Sequence, residues 1–164
     1  MNEEDTTMAD EMKMAHAKQV YGTLCQALEN KDWRFQKDEE KLLVHFGVKG
    51  EDLQMQFILL VDAERQLIRL MSPLPFEMSE KKRMEGAIAA CVASYGMVDG
   101  NFDYDLSDGR IMFRQTASFR ESQIGEGLFR YMISCACAMV EKYNDRFFAL
   151  NKGLISISDF VAQD

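Results

Sequence analysis

NFDYDLSDGRIMFRQTASF, residues 101–119, predicts a β-hairpin, and it is the clearest local signal in the chain. Apolar and polar side chains alternate on both sides of Asp108-Gly109, a dipeptide typical of two-residue turns because both central residues need positive φ. With that turn, the predicted cross-strand pairs are Leu106 with Ile111, Tyr104 with Phe113 and Asp103 with Arg114. The hairpin is therefore expected to have one buried apolar side and one solvated polar side.

Four more strand-like runs precede the hairpin, at residues 33–37, 42–48, 53–61 and 66–71. Two-residue turns between them predict the pairs Phe35 with Leu42, Val44 with Met55, Leu42 with Phe57 and Leu59 with Ile68. Because every inward residue then meets an inward partner, the runs favour an antiparallel meander. The predicted inner face is Trp33, Phe35, Leu42, Val44, Phe46, Leu53, Met55, Phe57, Leu59, Val61, Ile68 and Leu70.

Helical periodicity predicts four helices, over residues 8–30, 80–96, 126–147 and 157–163. The third is the most apolar and is expected to be the central buried helix. Between the fourth strand and the second helix, Pro73 and Pro75 are expected to break the sheet. Gly22 is expected to mark a close contact of the first helix, and Ser156 with Asp159 predicts a capping box at the start of the last.

The second helix is predicted to begin after Ser79 as N-cap. Its apolar stripe is expected to face the core and consists of Met84, Ala87, Ile88, Cys91, Val92 and Tyr95. Lys81, Lys82 and Arg83 fall in its first turn and are interpreted as solvated charges rather than an anion site.

The order α-ββββ-α-ββ-α-α predicts an α+β fold, an antiparallel β-sheet flanked by helices. A length of 164 residues suits one domain. We expect residues 1–7 to be disordered and residues 8–164 to form that domain.

The formal net charge of −8 disfavours nucleic acid and anionic membranes as partners. The acidic N-terminal sequence is not typical of a signal or transit peptide, and the apolar runs are shorter than the ~20 residues that cross a bilayer. We therefore expect a cytoplasmic location.

No catalytic or metal-binding motif is found, so the sequence predicts no enzyme activity and no cofactor. The two histidines have no second ligand at metal-binding spacing. The four cysteines are expected to be buried free thiols. A cation site at Asp103, Asp105 and Asp108 is the least favoured hypothesis, because Arg114 competes for Asp103.

The outer face of the meander is the candidate site, because its second half is more apolar than a solvated sheet face should be. The residues concerned are Ile58, Leu60, Leu67 and Met71. They predict a protein-interaction surface, and the competing interpretation is burial under the chain's own helices. A small-molecule sensor with a pocket between sheet and helices is the alternative function.

The sequence resembles the YbjN-like family of bacterial regulators in two stretches, residues 102–114 and 149–156, and in element order over residues 21–162. That family is similar in fold to type III secretion chaperones, small acidic dimers that bind extended segments of other proteins. The resemblance implies an antiparallel sheet flanked by helices, a bacterial non-enzymatic interaction role, and another protein or a second copy as partner. It brings no catalytic residues.

Overall fold

The computed structural model describes residues 3–51 and 53–162, with side chains from residue 7 onward. Its elements are α1 (Glu3–Glu29), β1 (Phe35–Asp38), β2 (Leu43–Lys49), β3 (Gln54–Asp62), β4 (Leu67–Glu77), a 3₁₀ turn (Glu80–Lys82), α2 (Arg83–Tyr95), β5 (Asn101–Tyr104), β6 (Arg110–Ser118), α3 (Glu126–Asn151) and α4 (Ile157–Ala162). The predicted order of helices and strands is confirmed. α1 begins before the predicted start at Met8, and the limits of the disordered segment and of the domain stay predictions.

The strands form one six-stranded antiparallel sheet in the order β1-β2-β3-β4-β6-β5. The hairpin thus closes the sheet, because β6 pairs with β4 and β5 forms an edge. Inner-face side chains such as Phe57 and Phe113 join Leu24 of α1 and Phe147 of α3 in one buried core. The predicted α+β class, an antiparallel sheet flanked by helices, is confirmed.

The predicted pairs of the meander are wrong in register, but the predicted inner-face residues do lie on the inner face of the sheet. The observed pairs are Phe35 with Phe46, Val44 with Leu59, Phe46 with Phe57 and Leu59 with Leu70. The turns are longer than two residues, and two of them use positive φ at Leu42 and Gln66. Because each slip is an even number of residues, the inner face is kept: nine of its twelve predicted members are buried, and Trp33, Phe35 and Leu53 pack against them.

The hairpin register is also wrong, since Tyr104 lies opposite Ile111 and Phe102 opposite Phe113. The Asp105 carboxylate accepts hydrogen bonds from the N–H and the hydroxyl of Ser107, at 2.9 and 2.6 Å. This local turn starts the loop before the expected dipeptide is reached. Leu106, expected on the buried side, is consequently exposed in the loop.

The two prolines do not break β4, which continues to Glu77. They change its partners instead. Pairing with β3 ends at Met71, and pairing with β6 becomes irregular between Pro73 and Glu77. The reason is that proline keeps an extended backbone but has no N–H to donate to a neighbouring strand.

The predicted core stripe of α2 is wrong, because Met84, Ile88, Cys91 and Tyr95 are exposed. The buried face consists of Gly86, Ala89, Ala90 and Ala93. A methyl group on Gly86 would lie 2.7 Å from Met78 Cγ and 2.9 Å from the Tyr104 hydroxyl, so only small residues allow this approach. Ser79 makes no capping hydrogen bond with its side chain.

The burial of α3 and the capping box of α4 agree with prediction, whereas the predicted close contact at Gly22 of α1 is wrong. α3 buries Phe129, Met132, Ile133, Ala136 and Val140 along its length. The capping box is present: Asp159 N–H donates to Ser156 Oγ at 3.1 Å, and Ser156 N–H donates to the Asp159 carboxylate at 2.8 Å. Gly22 marks no close contact, since nothing lies within 4 Å of the position a Cβ would take.

Candidate functional site

The outer patch, defined as Ile58, Leu60, Leu67 and Met71, lies on β3 and β4 on the side of the sheet away from the core. Ile58 pairs directly with Met71. All four side chains are half-buried, and none belongs to the core that the helices share with the inner face. The competing prediction, burial under the chain's own helices, therefore does not describe this face.

Apolar side chains extend the outer patch on both sides. Leu43 of β2 lies opposite Leu60, and Met112 of β6 lies opposite Pro73 of β4. Both side chains are half-buried. The apolar surface therefore crosses four neighbouring strands, a continuity that scattered surface residues would not show.

A half-buried carboxylate anchors the first arginine beside the outer patch. Arg69, opposite Leu60, places Nη2 3.1 Å from Asp62 Oδ2, and Arg65 places Nη1 3.2 Å from the same oxygen. Burial acts to raise the pKa of Asp62. It is outweighed by hydrogen bonds from the backbone and side chain of Arg65 and by the charges of both arginines, so the pKa lies below its usual value.

The second arginine of this face, Arg114, lies opposite Met71. Its Nη2 and Nε lie 3.0 and 2.8 Å from the two carboxylate oxygens of Asp103. The predicted ion pair is thus present, although the two residues are diagonal neighbours rather than direct partners. Each arginine of the face is held by a carboxylate, which fixes both guanidinium groups beside the apolar surface.

A hollow of about 890 Å³ opens where β4 departs from β6. Its lining residues all lie on β4 or on the β5–β6 hairpin: Pro73, Leu74, Pro75, Phe76, Glu77, Asp103, Tyr104, Asp105, Leu106, Arg110, Ile111 and Met112. Met112 belongs both to this lining and to the apolar surface of the outer face. The outer patch and the hollow are therefore parts of one continuous surface.

The sequence did not reveal the hollow, although the signal was present. The sequence predicts the end of the sheet at Pro73 and Pro75, whereas in the structure these prolines interrupt the pairing of β4 with β6. A second hollow, of about 340 Å³, lies between the β2–β3 turn and α3 and is lined by Glu51, Leu53, Glu141, Asn144 and Asp145.

No group of three His, Cys, Asp or Glu side chains converges as a metal site within the described residues. Asp105 is held by Ser107, and Asp108 accepts a hydrogen bond from the Arg110 N–H at 3.0 Å. Of the four cysteines, Cys25 is buried as expected, whereas Cys135 and Cys137 are half-buried and Cys91 is exposed. Among the described helices, none has an apolar run long enough to span a membrane.

Comparison with known proteins gives similarity at the level of fold. No protein-family model matches the chain, and no curated protein sequence matches it. Three solved structures match with TM-scores of 0.56, 0.54 and 0.53. At 11–15% sequence identity, these matches establish the fold alone.

The first of these structures is YbjN from E. coli, described as a proposed transcription regulator, at 12% identity over 77% of this chain and 92% of that one. The second is in the ExsC–ExsE complex, at 15% identity over 77% and 91%. The third is in the HopA1–SchA chaperone–effector complex, at 11% identity over 80% and 97%. The predicted resemblance to YbjN and to type III secretion chaperones is confirmed for the fold.

Proposed function

We propose that this chain is a non-enzymatic protein-binding domain, chaperone-like or regulatory, that holds a segment of another protein on its outer sheet face. The supporting observation is the outer patch itself, an apolar surface on the side of the sheet opposite the core. Surfaces of this kind, rimmed by charge, are typical of interaction sites. The second proposed partner is another copy of the chain, and the proposed location is the cytoplasm.

The outer face offers a segment of another protein one continuous apolar surface. The apolar surface runs from Leu43 across the outer patch to Met112 and then into the hollow. Arg69 and Arg114 lie along it, so the segment is expected to combine apolar anchors with a carboxylate or carbonyl groups. The solved complexes of similar fold contain protein partners, which supports this class of function.

The test is affinity purification from native lysate with three forms of the chain: wild type, Leu60→Glu and Gln56→Glu. Both variants add one carboxylate to the outer face of β3. Leu60 lies within the outer patch, whereas Gln56 lies in the polar part of the strand. We expect a partner, identified by mass spectrometry, to be depleted at least tenfold by Leu60→Glu and retained by Gln56→Glu.

Purified partner and calorimetry then complete the test. The expected loss with Leu60→Glu is at least about 1.4 kcal/mol, the equivalent of that tenfold change. Equal recovery of all proteins by wild type and Leu60→Glu, with both forms equally folded by circular dichroism, would contradict the proposal.

The small-molecule alternative is favoured by one observation, the volume of the larger hollow, which falls in the range of ligand sites. The hollow lies between β4 and the hairpin, not between sheet and helices as predicted. A thermal-shift screen of metabolites against wild type and Met112→Trp separates the two functions. A compound that stabilises wild type and not Met112→Trp would favour a sensor.

A further inference from the structure

The first part of α1 projects from the body of the fold as an arm, defined as residues 8–15. The side chains of the arm are exposed except for half-buried Lys13. Packing against the body begins at His16 and at fully buried Ala17. At 1.5 Å per residue the arm extends about 12 Å beyond that point, and His16 lies at its base.

His16 is held by two contacts from the connection between β6 and α3. Its Nε2 lies 3.0 Å from the Ser122 carbonyl oxygen, and its ring meets the fully buried Phe119 ring edge-on, with the centroids 5.2 Å apart. Because a carbonyl oxygen can only accept, Nε2 carries the proton, and the lone pair of the neutral ring is on Nδ1. Nδ1 makes no hydrogen bond within the described chain and is accessible to solvent. Metal-binding histidines typically donate their second ring N–H in this way.

Met12 places a thioether one helical turn before His16. Residues four apart on a helix have Cβ atoms about 5–6 Å apart, and long side chains lean toward the N-terminus, which brings the imidazole over the turn of Met12. Metal bonds to nitrogen and sulfur are about 2.0 and 2.3 Å long, as for zinc, so one ion can bridge this pair. Met12 is 69% exposed and belongs neither to the core nor to the residues packed against it.

This ligand pair is typical of a soft cation rather than zinc. No carboxylate, thiol or second imidazole lies three or four residues from His16. Structural zinc takes four ligands from such groups, whereas thioether and imidazole together suit Cu(I).

The charge of the first part of α1 also favours a cation. Residues 3–16 contain five carboxylates and one lysine. That lysine, Lys13, is already paired with Asp10 at 2.9 Å, so its charge is compensated beside Met12. The local field therefore attracts a positive ion.

We propose that Met12 Sδ and His16 Nδ1 bind one Cu(I) ion at the base of the arm. α1 packs on α3 and on the core side of β3, so the site lies away from the outer patch, and none of its residues lines the hollow. The metal site therefore stands or falls separately from the proposed function. Met12→Leu is expected to lose the metal and to recover the same protein partner as wild type.

Ag(I) in chloride-free buffer is the first probe, because it is as soft as Cu(I) and has no redox chemistry in air. Thiols compete for it. Burial raises the pKa of the Cys25, Cys135 and Cys137 thiols, which keeps them protonated, whereas Cys91 is exposed. All measurements therefore use Cys91→Ser as the background protein.

Calorimetry compares the background with Met12→Leu, His16→Gln and Met14→Leu. Met14 is the control, because it is an exposed methionine of the same arm and lies 200° around the helix from Met12. We expect one Ag(I) per chain in the background and Met14→Leu, and at least tenfold weaker binding in Met12→Leu and His16→Gln. Circular dichroism checks that every variant is folded.

Nuclear magnetic resonance locates the ion. Ag(I) is expected to shift the Met12 methyl signal and the Nδ1 signal of His16, and to leave the Met14 methyl signal in place. Anaerobic titration with Cu(I) is expected to shift the same signals, and Zn²⁺ to leave them unchanged. Equal Ag(I) affinity of Met12→Leu and the background, a shift at Nε2 instead of Nδ1, or stronger binding of Zn²⁺ than of Cu(I) would each overturn the site.

Discussion

Gly109 lies against the backbone of Met78, whose N–H donates a hydrogen bond to the Gly109 carbonyl oxygen at 2.8 Å. This bond joins the β5–β6 hairpin to the segment between β4 and α2. A Cβ on Gly109 would overlap the Met78 carbonyl oxygen, and Gly109 has a φ of 85°. One glycine therefore satisfies both the turn of the hairpin and its contact with the rest of the fold.

Gly109→Ala is expected to lower the free energy of unfolding by about 2–4 kcal/mol, because it adds left-handed strain to overlap with backbone that cannot yield. Urea denaturation measures the change. Gly127→Ala is the matched control, since nothing lies within 4 Å of its Cβ position in the first turn of α3. Equal stability of the two variants would contradict the role of Gly109.

Gly22→Ala is expected to raise the free energy of unfolding by up to about 1 kcal/mol. Gly22 lies within α1 with open space around its Cβ position, so alanine gains helix propensity without a clash. Thermal unfolding followed by circular dichroism measures the gain. A destabilised variant would mean that Gly22 meets a neighbour, as the sequence had suggested.

A buried serine, Ser72, and a half-buried serine, Ser94, are expected to respond in opposite directions to replacement by alanine. Ser72 Oγ is fully buried among the inner-face side chains with no hydrogen-bond partner in the described chain. Ser94 Oγ instead accepts a hydrogen bond from the Phe102 N–H at 2.9 Å, on the edge strand β5. Ser72→Ala is expected to stabilise by about 1 kcal/mol, and Ser94→Ala to destabilise by about 1–2 kcal/mol.

Urea denaturation of both serine variants, compared with wild type, checks these signs. Destabilisation by Ser72→Ala would show that its hydroxyl has a partner, such as an ordered water molecule.

The sequence is sufficient to predict which residues lie on each face of the sheet. It is insufficient to predict the register between neighbouring strands. Alternation places Val44 and Phe57 inside whatever the turn length, because an even slip keeps each residue on its face. Register depends on the turns, and Leu42 adopts a positive φ that no local pattern indicates. The hairpin register likewise depends on its loop, which begins at the hydrogen bonds from Ser107 to the Asp105 carboxylate.

α2 shows why the exposed apolar surfaces were only partly predictable. A periodic apolar stripe indicates that a helix has one apolar face, and it does not say whether the partner lies within the chain. Here Gly86 and Ala90 offered a second, smaller face that fits closely against β5. The outer patch was predicted by its four residues, whereas the hollow depends on where β4 leaves its neighbours, which is a tertiary property.

Asp62→Asn is expected to destabilise the fold by about 1 kcal/mol at neutral pH, because it removes the charge that holds Arg65 and Arg69. The folded-state pKa of Asp62 is lowered, so its carboxylate stabilises the fold above the unfolded pKa of about 4. That stabilisation is lost as the pH falls through the folded pKa. The difference between wild type and variant is therefore expected to shrink below about pH 4.

Urea denaturation at a series of pH values from 7 to 3 measures this dependence, with Glu64→Gln as the control. Glu64 is exposed and lies 3.8 Å from Arg65, so its charge is expected to contribute little at any pH. Parallel stability curves for wild type and Asp62→Asn would mean that Asp62 titrates alike in the folded and unfolded states. In that case Asp62 does not anchor Arg69, and Arg114, held by Asp103, is the one fixed arginine of the two that lie beside the outer patch.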